Sequence, residues 1–168
     1  MDVAALRAET PGCKRLVHLN NAGAALMPAP VVAAISEYLA FESEVGGYEA
    51  EALRSAEVAR AYEAIGALVG AAPGNIAFTS SATASFVQAL SSIPFAPGDT
   101  VLVTRHDYVS HQVSLLALRE RFGIRVVRAP DQEAGGVDVA AMAALIEQHR
   151  PRLVCVTHVP TNSGLVQD

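Results

Sequence analysis

Three short polar segments carry the residue types best suited to chemistry in this sequence. They are residues 79–85, 104–111 and 157–164, and each follows an apolar run of strand-like length. In parallel α/β sheets, ligands bind beyond the carboxyl ends of the strands. Three polar segments at such ends therefore predict one shared pocket, formed where their loops meet.

The first segment contains the small residues Ser80, Ser81, Ala82 and Thr83 between an apolar run and a helical pattern. Backbone N–H groups at a helix start bind anions, and hydroxyl groups add further donors. This pattern favours a phosphate site, although a serine or threonine that only caps the helix explains it as well. The Gly-rich patterns of nucleotide-binding loops do not occur in the sequence.

The second segment concentrates ionisable and aromatic groups at His106, Asp107, Tyr108 and His111. An aromatic ring here can stack on a planar ligand, and a histidine or carboxylate can transfer protons. The alternative is a solvated turn in which Asp107 caps the following helix.

The third segment offers Asn162, whose amide can bind a phenolate or carbonyl oxygen of a ligand, or can bond its own loop backbone. His106, His111 and His158 can in principle approach one metal ion, but each is equally explained by its own loop. We therefore expect no metal site.

Helical and strand-like patterns alternate along the chain and must position these segments. Strands are predicted at residues 16–21, 76–80, 100–104, 124–129 and 153–159. Two helices are predicted before the first polar segment, one from Pro28 to Gly46 and one over residues 50–69. A further helix is predicted after each of the first two polar segments. The helix after the second segment has an apolar side formed by Val113, Leu116 and Ala117. A last helix is expected from an N-cap at Asp138 to His149, after a turn at Gly135-Gly136. The alternation predicts an α/β fold with a mostly parallel sheet between helical layers.

Composition excludes several classes of protein. The 168 residues are 51% apolar and 17% charged, with a net charge of -5, which argues against nucleic acid or an anionic membrane as partner. No apolar run reaches the ~18 residues that span a bilayer, and the N-terminus does not resemble a secretory signal. Cys13 and Cys155 form no paired motif, so we expect reduced thiols and a cytoplasmic location. The only lysine is Lys14.

The order of several motifs resembles the N-terminal part of the class V aminotransferase-fold enzymes, which include cysteine desulfurases and selenocysteine lyases. The motifs are LNNAGAALMP, GGYEA, NIAFTSSATAS, PGDTVLVTRHDYVS, GGVD and THVPTNSGLVQD. The resemblance implies pyridoxal 5'-phosphate (PLP) as cofactor and the three-layer large domain of the PLP-dependent transferases (fold type I), present here in part. It divides the chain into an N-terminal arm (1–15), a helical segment (16–75) and the first part of the PLP-binding domain (76–168).

The resemblance also assigns site residues. It places the cofactor phosphate at the backbone of Ala82 and at Thr83, and the ring-stacking position at Tyr108, where desulfurases usually have histidine. The residue beside the cofactor's phenolic oxygen is Asn162 or, counting back from Gly164, Thr161. The strip that borders the substrate pocket falls on Asn21, Ala22 and Gly23.

The family's Schiff-base lysine and its paired aspartate lie beyond the strand that would follow Asp168. Lys14 lies before the similar region, so no catalytic residue is expected in this chain. The resemblance thus implies the N-terminal portion of an enzyme that transaminates an amino acid or eliminates a group from its Cβ, as in C–S cleavage. It also implies a homodimer or a complementary C-terminal half as partner. The alternatives are a non-catalytic truncated or split subunit that needs a second chain, and a phosphate-ligand binding module.

Overall fold

The computed structural model describes residues 1–167, and Asp168, the last residue of the predicted PLP-binding segment, lies outside them. Contacts between residues divide the chain into two compact units, one of residues 1–78 and one from residue 79 onward. None of the described helices is long and apolar enough to cross a membrane.

The first unit is helical over its described residues. Its helices are α1 (Val3–Glu9), α2 (Ala29–Val45), α3 (Gly47–Leu53) and α4 (Ser55–Val69), with 3-10 turns at Pro11–Lys14 and Pro73–Asn75. Helix α2 begins after Pro28 and ends at Gly46, whose φ of 95° is open to glycine but strained for other residues. Both predicted ends of this helix are confirmed.

Two predictions for the first unit are wrong. The helix expected over residues 50–69 begins earlier and is divided at Arg54, which separates α3 from α4. Residues 16–21 form no strand, and Val17 and Leu19 are exposed. A strand needs a neighbour for its backbone hydrogen bonds, and no other described segment pairs with this one.

The second unit contains a parallel sheet of three strands, β1 (Thr100–Val103), β2 (Arg125–Arg128) and β3 (Leu153–Cys155), in the order β2-β1-β3. Val101 pairs with Val126 on one side and with Leu153 on the other. Its helices are α5 (Ala82–Ser91), α6 (Val109–Phe122) and α7 (Val139–His149). The predicted α/β class with a parallel sheet is confirmed.

The core lies on both faces of the central strand β1, whose four residues are all buried. Val101 and Val103 pack with Leu90 of α5 and Leu115 of α6, whereas Leu102 packs on the other face with Met142 of α7. A strand covered by helices on both faces is mainly apolar rather than alternating, as Val101, Leu102 and Val103 are.

Local signals for the last helix are confirmed. The Asp138 carboxylate accepts the N–H of Ala141 at 2.9 Å and caps α7. The preceding turn uses Gly135 and Gly136 at φ of 92° and 83°, the left-handed region that favours glycine.

Two further predictions fail in the second unit and at its start. Residues 76–80 form no strand and are not part of the described sheet. Helix α6 buries Leu115, whereas the predicted apolar face is turned outward, with Val113 59% and Leu116 43% exposed. Leu118 rather than Ala117 joins Leu115 at the sheet.

Candidate functional site

The start of helix α5 is a cluster of hydroxyl and N–H groups. Ser81 is the N-cap, and its Oγ accepts the N–H of Ala84 at 3.2 Å. The N–H groups of Ala82 and Thr83 belong to the first helical turn and have no intrahelical acceptor. Capping therefore occupies Ser81 but leaves the next two residues as donors for an anion.

The Thr83 hydroxyl links this helix start to the start of α6. Its Oγ1 lies 3.0 Å from Oγ of Ser110, which is 27 positions away in the sequence. Thr79 closes the preceding turn through its hydroxyl, which bonds the Ser81 carbonyl and the Ser85 hydroxyl. The first and second polar segments thus meet at two neighbouring helix starts.

Asp107 joins the second polar segment to the third. Its Oδ1 accepts three hydrogen bonds, from the Tyr108 N–H at 2.7 Å, from His111 Nδ1 at 2.9 Å and from the Thr157 hydroxyl at 2.6 Å. Its side chain is only 2% exposed. Because a carboxylate only accepts, Nδ1 of His111 carries a hydrogen here.

Asp107 does not cap helix α6, contrary to one of the two interpretations of this segment. The N-cap residue is Tyr108, and no side chain bonds the first-turn N–H groups. The carboxylate instead accepts the hydroxyl of Thr157 at the exit of β3, which lies 50 residues further along the chain.

Aromatic rings surround the same position. The His111 ring stacks on Phe86 of α5, with ring centroids 3.8 Å apart and planes inclined by 22°. The Tyr108 ring meets His111 edge-on at 6.1 Å, and Tyr108 remains 46% exposed. Tyr108 therefore presents ring surface that a planar ligand can cover.

The third segment is held by Gln167, which is buried. Its Oε1 accepts the Val137 N–H at 2.7 Å, its Nε2 donates to the Thr157 carbonyl at 3.3 Å, and its N–H donates to the His158 carbonyl at 2.8 Å. The candidates Thr161 and Asn162 lie in an exposed turn between Pro160 and Gly164.

A cavity of about 300 Å³ lies between helix α5 and strand β3. Asp107, His111 and Thr157 are its polar walls, and Phe86 and Cys155 are among its other lining residues. Burial, together with the nearby charge of Asp107, raises the pKa of the Cys155 thiol to about 11. Since the thiolate is the reactive form, Cys155 is a poor nucleophile at neutral pH.

The histidines of the polar segments do not converge. His106 Nε2 lies 3.4 Å from Asp131, which Arg105 also approaches at 3.9 Å, whereas His111 bonds Asp107. Among residues 1–167, no three His, Cys, Asp or Glu side chains are grouped so that they could hold a metal ion.

The remaining sequence candidates lie in the first unit. Asn21, Ala22 and Gly23 form an exposed turn. A Cβ at Gly23 would lie 2.7 Å from the exposed Asn20 side chain, which would have to move aside. Lys14 is the exposed last residue of a 3-10 turn.

Three residues of this cluster were missed as site candidates: Ser110, Thr157 and Gln167. Ser110 and Thr157 lie inside the predicted polar segments, but each acts through a partner far away in sequence. Gln167 lies within the motif THVPTNSGLVQD, but its partners Val137 and Thr157 are 30 and 10 positions away, so the local pattern does not indicate its role.

Comparison with known proteins gives a consistent result. Residues 17–168 match the family model described as aminotransferase class-V. A probable cysteine desulfurase from Methanothermobacter thermautotrophicus is 29% identical over 167 residues, which are 97% of this chain and 41% of that protein. A second, from Halobacterium salinarum, is also 29% identical, over 99% of this chain and 43% of that protein. The chain thus spans about two fifths of the length of these curated relatives.

Solved structures superpose on nearly the whole chain. The cysteine desulfurase CsdA from Escherichia coli has a TM-score of 0.82 and 25% identity, covering 100% of this chain and 44% of its own. The cystine C-S lyase C-DES, solved as a mutant with glycine covalently linked to its PLP cofactor, has a TM-score of 0.84 and 23% identity over 96% of this chain and 43% of its own. The predicted fold type I domain is confirmed over the part that this chain covers.

Proposed function

The chain belongs to the aminotransferase class-V family, and we propose that it is the N-terminal portion of a PLP-dependent enzyme that cleaves a C–S bond of an amino acid. The relatives named as probable cysteine desulfurases support this reaction over transamination. We also propose the division into an arm (1–15), a helical segment (16–75) and a PLP-binding segment from residue 76 onward. We propose a homodimer or a complementary C-terminal half as partner, of which only the latter would supply the Schiff-base lysine.

The single observation that carries the proposal is the contact of the three polar segments with one another. Thr83 bonds Ser110, and Asp107 bonds Thr157, so the start of α5, the start of α6 and the exit of β3 form one polar cluster. Such a cluster beyond the carboxyl ends of parallel strands is where α/β proteins bind ligands.

The residues of this cluster fit PLP. The N–H of Ala82 and the Thr83 hydroxyl suit a phosphate group at a helix start. The exposed Tyr108 ring suits an aromatic face. Asn162 or Thr161, both exposed, would bond the phenolic oxygen, and Asn21, Ala22 and Gly23 would border the substrate.

PLP, when bound, supplies an electron sink for the bonds that break at the substrate α-carbon. This chain's own residues bind and orient it. The described residues contribute a phosphate site and a ring contact, whereas the sequence has a single lysine, Lys14, in the first unit. We therefore assign cofactor binding, and no catalytic residue, to this chain.

Tyr108 narrows the reaction. Tyrosine retains an aromatic surface for stacking but has no imidazole nitrogen to accept and donate a proton. Where the resemblance leads us to expect a histidine, proton transfer at this position is therefore weaker. This favours a lyase that needs only the ring contact here over a desulfurase that uses an imidazole.

The test is reconstitution of the chain with the polypeptide encoded downstream of residue 168, followed by incubation with PLP and L-cysteine or L-cystine. We expect cystine to give pyruvate, ammonia and cysteine persulfide, the products of C–S elimination. Alanine and sulfane sulfur from cysteine would instead identify a desulfurase. Transfer of the amino group to a keto acid without C–S cleavage would contradict the proposal.

A second function is favoured by the outer edge of β3. No described strand pairs with this edge, and Val154 and Val156 are 37% and 52% exposed. A non-catalytic or split subunit that binds a second chain along this edge would have this form. Stable association with the downstream polypeptide, without PLP binding, would support it.

The remaining alternative is a phosphate-ligand binding module. A reconstituted protein that binds phosphate but does not bind pyridoxal compounds would support it.

A further inference from the structure

The Asp107 carboxylate is a buried charge for which the proposed binding roles give no use. All three of its hydrogen bonds go to Oδ1 and come from the Tyr108 backbone, the His111 ring and the Thr157 hydroxyl. A buried carboxylate is costly unless such donors compensate its lost hydration. The three donors and the charge therefore depend on one another.

We propose that Asp107 and His111 form a positioning pair that holds the Tyr108 ring against the edge of the His111 ring and ties it to the exit of β3 through Thr157. The inference rests on the proposed function, in which Tyr108 stacks on the cofactor ring. It deepens that function by naming the groups that fix the position of the tyrosine.

The contacts of His111 define its orientation from three directions. Nδ1 donates to Asp107, one ring face stacks on Phe86, and the ring meets Tyr108 edge-on. Loss of the Nδ1 donor would release the ring to rotate about its contact with Phe86. The edge against which Tyr108 packs would then no longer be fixed.

Thr157 extends the pair to the third polar segment. Its hydroxyl donates to Asp107, while its carbonyl accepts from Gln167. The position of Tyr108 is thereby linked to the segment that carries the candidates Thr161 and Asn162. A ring contact and a polar contact of one ligand are thus set by a single carboxylate.

Two substitutions of His111 separate its hydrogen bond from its packing. His111→Asn retains a side-chain N–H near the place of Nδ1, so it can still donate to Asp107. His111→Phe retains a flat ring on Phe86 but has no donor. His106→Phe is the matched control, because His106 follows the same strand but pairs with Asp131.

The first readout is the Tyr108 ring signal in NMR spectra of the 168-residue chain with ¹³C-labelled tyrosine and no added ligand. The chain has four tyrosines, which makes the signal straightforward to assign. We expect the wild-type signal in the His106→Phe chain, a signal shifted towards that of free tyrosine in His111→Phe, and a smaller shift in His111→Asn, which keeps the donor to Asp107 but loses the ring that Tyr108 meets edge-on. An unchanged Tyr108 signal in His111→Phe would overturn the pair.

The second readout is the dissociation constant of pyridoxine 5'-phosphate, a PLP analogue without the aldehyde. We expect His111→Phe to weaken binding about threefold to tenfold and His111→Asn, which keeps the donor but not the ring, to weaken it less than His111→Phe does. If no form of the chain binds the analogue but the Tyr108 signal responds as expected, the proposed function fails and the pair stands.

Thr157→Val gives an independent arm if the His111→Phe chain does not fold. It removes one donor to Asp107 from a different element and keeps the size of the side chain. We expect it to shift the Tyr108 signal, whereas Thr157→Ser should restore the wild-type position. An unchanged Tyr108 signal in the Thr157→Val chain would contradict the proposed link to β3.

Discussion

Thr83 shows what a single residue contributes to the proposed phosphate site at the start of α5. Its hydroxyl bonds Ser110 and its N–H belongs to the open first turn of α5. Both groups can donate a hydrogen bond to a phosphate oxygen. Neither depends on a charged side chain, which agrees with the scarcity of lysine in the sequence.

Substitution Thr83→Ala should weaken the binding of pyridoxine 5'-phosphate about 10-fold to 100-fold, because a hydrogen bond to a charged group contributes about 1.5–3 kcal/mol. Thr83→Ser keeps the hydroxyl and should bind like the wild type. Ser92→Ala is the control at the other end of α5, where the hydroxyl bonds only the Ala89 carbonyl. Isothermal titration calorimetry measures the three constants, and equal affinity in Thr83→Ala would remove Thr83 from the site.

Because of Cys155, we expect the free energy of unfolding of the chain to decrease as the pH rises into the alkaline range. Its pKa rises from the ordinary value of 9.0 to about 11 on folding, mainly through burial and secondly through Asp107. Below pH 9 the thiol is protonated in both states, and its contribution to stability is complete. Between pH 9 and 11 the unfolded chain loses its proton first, so the free energy of unfolding falls as pH rises.

Urea unfolding at pH 8 and pH 10.5 measures this loss. Because Cys155 is only partly buried, we expect the fall to exceed that of Cys155→Ala by about 1 kcal/mol. The alanine chain is the control for all other groups that titrate in this range. An identical fall in both chains would show that the Cys155 thiol titrates alike in the folded and unfolded states.

At the scale of elements, local signals were predicted well from the sequence and pairings were not. Asp138, Gly46 and the Gly135-Gly136 turn act within a few residues, so their chemistry is visible in the sequence. Residues 16–21 and 76–80 have the composition of strands, but a strand also needs a partner, which composition does not specify.

The same distinction applies to the site. The polar exits of the strands and the open start of α5 follow from the order of apolar and polar residues. The contacts of Ser110 with Thr83 and of Thr157 with Asp107 span 27 and 50 positions. Such contacts depend on how strands β1 and β3 are aligned, which no local pattern fixes.

The cap of α7 provides a test at this scale. Asp138→Ala removes the acceptor for the Ala141 N–H and should lower the free energy of unfolding by about 1 kcal/mol. Asp138→Asn can also cap the helix, so its free energy of unfolding should lie within a few tenths of a kcal/mol of the wild-type value. Urea unfolding measures both, and an Asp138→Ala chain as stable as the wild type would show that the cap contributes nothing.

At the scale of the molecule, the chain leaves much apolar surface uncovered. Helix α2 has 17 residues and none of them is buried, and its apolar residues Val31, Ile35 and Leu39 are 44%, 48% and 61% exposed. With about two fifths of the length of its curated relatives, the chain has a pocket at one edge of a small sheet and apolar faces elsewhere. Under the proposed function, these apolar faces are surfaces for further polypeptide of the enzyme.

The most direct test of this account is an NMR titration of the ¹⁵N-labelled chain with pyridoxine 5'-phosphate, which cannot react with the amine of Lys14. We predict saturable shifts in the backbone signals of Ala82, Thr83, Tyr108 and Ser110 and of the turn at residues 161–163. Signals of α2 and α4 should not move. Saturation without shifts in these three segments, or no saturable binding at all, would contradict the central claim that the strand exits form the cofactor site.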